Sequence, residues 1–187
     1  MPNTQKLHID VNETHPAYQW AKRQSDSVEA FGHIGTHIDC YTKAPLRNCY
    51  HIDTVVIDCR QGMPSLEMVR GLDVGGKGVV LYTGNLEHNG YGTADYGQTP
   101  THLDSQVLDH LLREKTAFIL IDSYGIGAHG DEHISYDKRC EASDCFVIEN
   151  ILLSELIAKR ICSVSIEFDR DSQSTGKRCE VVAVLSE

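Results

Sequence analysis

Apolar residues fall along this chain in short runs separated by turn-forming residues. Four runs, TVVIDC at 54–59, GVVLYTG at 78–84, AFILIDS at 117–123 and VVAVL at 181–185, are rich in β-branched and aliphatic residues and predict buried strands. SVSIEFD at 163–169 alternates instead, with Val164, Ile166 and Phe168 on one face, as a half-exposed strand does. Two stretches have helical spacing. The first, 102–115, aligns Leu103, Val107, Leu108, Leu111 and Leu112, with Asp104 or Thr101 available as the cap. The second, 146–160, places Ile148, Ile151, Leu152 and Leu156 on one face and ends in Lys159 and Arg160, which suit the negative helix end. The Gly- and polar-rich segments 84–97 and 122–137 read as loops. No repeat, low-complexity tract or linker interrupts the chain, so residues 1–187 are expected to form one domain of α/β or α+β type.

Composition narrows the class without naming a function. A length of 187 residues can bury one sizeable core, and 41% hydrophobic with 24% charged residues is ordinary for a soluble globular protein. The longest apolar runs are too short to span a bilayer, and MPNTQKLHID lacks the basic-then-apolar layout of a secretory signal, so a cytoplasmic location is expected. Seven cysteines, an odd number at irregular spacings with no C-x-x-C pair, point to reduced thiols rather than a disulfide framework or a cysteine zinc site. A formal charge of −10 argues against a nucleic-acid partner.

Candidate chemistry enters at FGHIGTHIDC, residues 31–40. On an extended strand, side chains alternate between faces, so His33, Gly35, His37 and Asp39 point one way and Ile34, Thr36 and Ile38 the other. One face then offers two imidazoles and a carboxylate, with a glycine leaving room between the histidines. Nitrogen with carboxylate oxygen suits Zn²⁺ or Mn²⁺, and three ligands from one strand need partners from elsewhere in the chain. Hydrogen-bonded or solvated histidines are the competing reading of the same residues.

HIGTHID resembles the H-x-G-T-H-x-D signature of the cyclase family of metal-dependent hydrolases, to which bacterial kynurenine formamidases belong. Further likenesses follow in order: VVLYTG, THLDSQVLDHLLREKTAFILIDSYGI, and FVIENILLSEL, which is similar to the family's I-x-E-N-L segment. The resemblance implies an α/β fold with a mixed, barrel-like sheet flanked by helices. It also implies a homodimer or larger homo-oligomer, and one or two Zn²⁺ or Mn²⁺ ions serving hydrolysis of an amide-type bond in a small molecule. His33, His37, Asp39 and Glu149 match family metal ligands. Another ligand, a histidine in the family, corresponds to Asp137, with His129 and His133 close by as substitutes. The signature continues in the family as x-P-x-H, and its last histidine helps proton transfer. Here the proline position is Tyr41 and the histidine position Lys43, so Lys43 is the implied catalytic residue, active as a base only if burial or a nearby cation lowers its pKa.

The expected activity is metal-dependent hydrolysis of an amide, formamide or lactam C–N bond by a metal-activated water. Two alternatives are a family member that has lost catalysis and kept a ligand-binding role, and a metal-dependent lyase or cyclase. His8, His15, His51, His102 and His110 show no partner pattern; His88 lies in a Gly-, Asn- and Tyr-rich segment that reads first as a surface loop and second as a functional one, and Asp122, Asp131 and Glu132 either bring carboxylates near the metal or simply meet water.

Overall fold

The computed structural model describes residues 3–24 and 31–187. Among the described residues, eight strands run in chain order as β1 (Asn3–Lys6), β2 (His37–Asp39), β3 (Cys49–Asp58), β4 (Gly78–Tyr82), β5 (Phe118–Ile121), β6 (Phe146–Glu149), β7 (Ile161–Phe168) and β8 (Gly176–Leu185). Seven of them close into a barrel in the order β8-β2-β6-β5-β4-β3-β7, with β7 pairing back to β8, and β1 adds to the far half of β8. The run β3-β4-β5-β6 is parallel, whereas β2, β7 and β8 pair antiparallel with their neighbours. This is the mixed α/β barrel that the family resemblance implied.

Parallel neighbours need crossover connections, and helices supply them on the outside of the barrel. The described helices are α1 (Pro16–Gln24), α2 (Leu66–Val69), α3 (Asn85–Asn89), α4 (Ala94–Gln98), α5 (Ser105–Arg113), α6 (Asp131–Ala142) and α7 (Glu155–Ala158). Strands between a filled barrel and a helical layer are buried on both faces, which is why β4 and β5 read as continuous apolar runs. Val80, Tyr82, Leu120 and Ile148 point inward to meet Ile38, Val164, Ile166, Val181 and Ala183. Val79, Leu81, Ile119, Ile121 and Val147 point outward against Val107, Leu108 and Leu111 of α5 and Tyr136 and Cys140 of α6.

Asp104, one of the two expected caps, accepts from Gln106 N–H at 2.7 Å and starts α5. The expected helix over 146–160 is not one element. Phe146–Glu149 forms β6, wedged between β5 and β2, and the helical turn is confined to α7. Four consecutive buried apolar or strand-facing positions satisfy a two-sided strand as well as a helix, and Asn150, at φ +58°, ends the strand. Conversely, the end of the segment read as a loop at 122–137, from Asp131 onward, belongs to α6. That helix has only a weak apolar stripe because part of its inner face is polar: Asp137 and Glu141 are buried.

Candidate metal centre

His37 and Asp39 share one face of β2, while Ile38 between them fills the barrel interior. His37 stands opposite Glu149 in the β2–β6 register, and their side chains meet outside the barrel, Nε2 to Oε2 at 3.5 Å. His33 does not continue the strand. It sits in a turn closed by Gly35 at φ +76°, so the expectation of one extended strand from 33 to 39 is corrected. Gly35 does not make room for an ion: a side chain there would collide with Val11, and its value is the left-handed backbone. The turn nevertheless brings His33 Nδ1 to 3.0 Å from Asp39 Oδ1 and 3.3 Å from His37 Nε2.

The opposite wall is α6. His133 and Asp137 lie one turn apart on the same helical face. His133 Nε2 is 3.4 Å from Asp137 Oδ2, 3.4 Å from Glu149 Oε1 and 3.7 Å from Asp39 Oδ2. Gly125, at φ +140°, permits this approach: a Cβ there would stand 2.5 Å from His133 and 2.6 Å from Glu149. Two donor sets result, His33–His37–Asp39 and Asp39–His133–Asp137–Glu149, and Asp39 belongs to both.

Four ligand atoms around an ion at about 2.1 Å stand about 3.4 Å from one another, close to the separations found here. The centre is also unsatisfied as protein alone. Both oxygens of Asp39 and of Asp137, Glu149 Oε1 and His133 Nδ1 are buried without a hydrogen-bond partner. Each such group costs about 1–3 kcal/mol unless something else engages it. The residues therefore fit a divalent cation. Outer contacts orient two of the candidate ligands: His37 Nδ1 lies 2.9 Å from Gly35 O, and His33 Nε2 lies 3.0 Å from Thr175 Oγ1.

Three carboxylates in one buried cluster cannot all ionise cheaply. Burial pushes the Asp137 carboxyl up to about 8, helped by the facing Asp39 charge. Burial, then Asp39 and Asp137, raise Glu149 well above the usual range. Burial opposes ionisation of Asp39 too, but His37, His133 and His33 outweigh it and hold that carboxyl low. Burial lowers His37, while for His133 the Asp39 and Asp137 carboxylates overcome burial and raise it.

Lys43 is placed differently from the other five expected site residues. Its ammonium meets Asp144 Oδ1 at 2.5 Å in a half-exposed setting, and it does not line the cavity beside the cluster. The group that faces the Lys43 ammonium is a carboxylate, whose charge holds a lysine protonated, whereas a lysine base needs burial or a cationic neighbour. That cavity, of about 880 Å³, is walled by His33, His37, His133 and Glu149 on one side and by Tyr41, Tyr91, Tyr96 and Tyr124 elsewhere. His129 stacks on Tyr124 with ring centres 4.1 Å apart, and Arg23 also lines the cavity. His129 is thus a wall residue, whereas His133 joins the cluster.

A family model described as "Putative cyclase" matches residues 5–128, about two thirds of the chain. The chain belongs to the cyclase family. No curated protein matches it in sequence. Among solved structures, a "potential metal-dependent hydrolase with cyclase activity" superposes with a TM-score of 0.73 at 14% identity, covering 100% of both chains. A predicted metal-dependent hydrolase from Bacillus stearothermophilus gives 0.70 at 14% identity over 98% of each chain. Isatin hydrolase A from Ralstonia solanacearum gives 0.64 at 14% identity, over 83% of this chain and 73% of the other. Family membership accounts for the barrel, and the metal-dependent hydrolases among these neighbours accord with the donor cluster. Among the described residues, no helix is long and apolar enough to cross a membrane.

Proposed function

We propose that this protein is a metal-dependent hydrolase of amide, formamide or lactam C–N bonds in a small, ring-bearing molecule. The observation that carries the reading is a buried His/Asp/Glu cluster, with carboxylate oxygens that accept no hydrogen bond, opening directly onto an aromatic-walled cavity. His33, His37 and Asp39 would hold one Zn²⁺ or Mn²⁺, and Asp39, His133, Asp137 and Glu149 a second, with Asp39 shared. A divalent ion so held supplies Lewis acidity toward a carbonyl and acidifies a bound water.

The chain's own side chains account for the rest. Tyr91 and Tyr96 have ring centres 5.8 Å apart, and Tyr96 and Tyr124 6.2 Å, giving edge-on faces against which a flat substrate can lie. Asn150 Nδ2 donates to Gly35 O at 3.0 Å and its Oδ1 accepts from the Tyr96 hydroxyl, so the wall and the His33–His37 turn are fixed to each other. The isatin hydrolase neighbour makes isatin a suitable first lactam to try.

The test is a hydrolysis screen of aryl formamides, anilides and lactams with Mn²⁺- or Zn²⁺-loaded protein, chelator-treated protein and a His37→Ala variant. Turnover that chelation and His37→Ala both remove is expected. Stoichiometric metal with no turnover across the screen would contradict the hydrolase reading and favour a ligand-binding relative. Product formed without ¹⁸O from labelled water would make the enzyme a lyase.

A further inference from the structure

The departures from the family signature at 41 and 43 have a structural partner on α6. Proline has no N–H; tyrosine does, and the Tyr41 N–H donates to Glu141 Oε1 at 2.5 Å. The next two residues converge on the other oxygen: Thr42 donates to Oε2 from its N–H at 2.7 Å and from its hydroxyl, and the Lys43 N–H lies 3.3 Å away. One fully buried carboxylate therefore grips three successive residues of the segment that leaves β2. The chain bends at 41–42, so Tyr41 turns into the cavity and Lys43 turns out to Asp144.

The Tyr41 ring faces His33, with centres 6.3 Å apart and planes 28° from parallel. His33 needs such support more than its neighbours do. Its side chain is 32% exposed, against 3% for His37, and it stands on a turn outside the strand. Glu141 lies on the same helix as His133 and Asp137, so its grip also ties the exit of β2 to the helix that closes the cluster.

We propose that Glu141 is a positioning residue, which by holding the 41–43 backbone seats the Tyr41 ring against His33 in the cavity wall while Lys43 is directed away. The inference rests on the metal-centre reading of the same site. It differs from a plain packing role because it predicts coupling between Glu141, Tyr41 and ion binding.

The experiment combines Mn²⁺ titration calorimetry with hydrogen exchange on the full chain, for wild type, Glu141→Gln, Tyr41→Phe, Tyr41→Ala and the Glu141→Gln/Tyr41→Ala pair. Glutamine places an amide N–H₂ against at least one of the donors, so exchange at 41–43 should accelerate at least about tenfold. Mn²⁺ affinity should fall roughly tenfold in Glu141→Gln and in Tyr41→Ala, in the range for lost outer contacts of a ligand. The pair should lose no more than either single variant, and Tyr41→Phe, which keeps the ring, should stay within about twofold of wild type. Unchanged exchange at 41–43, unchanged Mn²⁺ affinity in Glu141→Gln, or additive losses in the pair would each overturn the proposal. A wild-type chain that takes up no Mn²⁺ would instead sink the metal-centre reading and this inference with it.

Discussion

Raising the pH of Mn²⁺-free protein before titrating in the ion perturbs the proposed centre through Asp137 and Glu149, whose carboxyls are pushed up by burial and by the Asp39 charge, so that a cation competes with protons there. The Asp137 carboxyl is pushed up to about 8. At pH 6 it is therefore almost wholly protonated, and preparing it for an ion costs roughly 3 kcal/mol. The cost falls to roughly 1 kcal/mol at pH 7 and fades above pH 8. Affinity for Mn²⁺ should thus climb about tenfold between pH 6 and 7 from Asp137 alone and about fivefold more by pH 8, and more steeply because Glu149 and His133 are also raised. Calorimetry in buffers of different ionisation enthalpy should count at least one proton released per chain at pH 6.5. For the ion-free protein the sign runs the other way. A carboxyl with a folded value near 8 and an ordinary value of 3.8 stabilises the fold below about pH 4, and that contribution is lost as pH rises toward 8. Its Tm should fall across that interval while that of the loaded protein holds. A flat affinity profile with no proton release would refute the reasoning, since it would mean that these carboxyls are not the ligands or are already ionised.

Three further outcomes follow from particular contacts. Gly125→Ala forces a Cβ to within 2.5 Å of His133 and 2.6 Å of Glu149 at φ +140°, so it should lower stability by about 1–3 kcal/mol in denaturant melts and weaken ion uptake; full Mn²⁺ affinity in this variant would contradict the placement of α6. Asp104→Ala removes the α5 cap and should cost about 1 kcal/mol with no change in metal content by elemental analysis. Lys43→Ala breaks only the half-exposed pair with Asp144, so turnover should change less than about threefold; a hundredfold loss would return Lys43 to the proton-transfer role implied by the resemblance.

Much of the barrel was legible because its strands are sandwiched: 78–82 and 118–121 are apolar at every position, and only a doubly covered strand wants that. The same property hid β6, whose Phe146–Glu149 run continues into apolar residues at helical spacing, and no local signal marks where the strand stops except Asn150 in a left-handed conformation. His37 and Asp39 could be paired by strand alternation, but His33 reaches them through a turn that periodicity does not describe. His133 is one option among neighbours in the sequence because the pattern over 122–137 predicts a loop, not the helix that carries it. Polar residues on the inward face, which weaken the amphipathic signal, are the ones that build the cluster. The i, i+4 spacing of His133 and Asp137 was the available sign. Glu141 lay beyond sequence reasoning, since its partners are about a hundred residues away.

Anomalous diffraction at the manganese edge from crystals grown with Mn²⁺ would test the centre most directly. The account predicts at least one peak in contact with Asp39, flanked by the imidazoles of His33 and His37 or by His133, Asp137 and Glu149. A map with no peak among these six side chains, from protein that is folded and exposed to excess Mn²⁺, would contradict it.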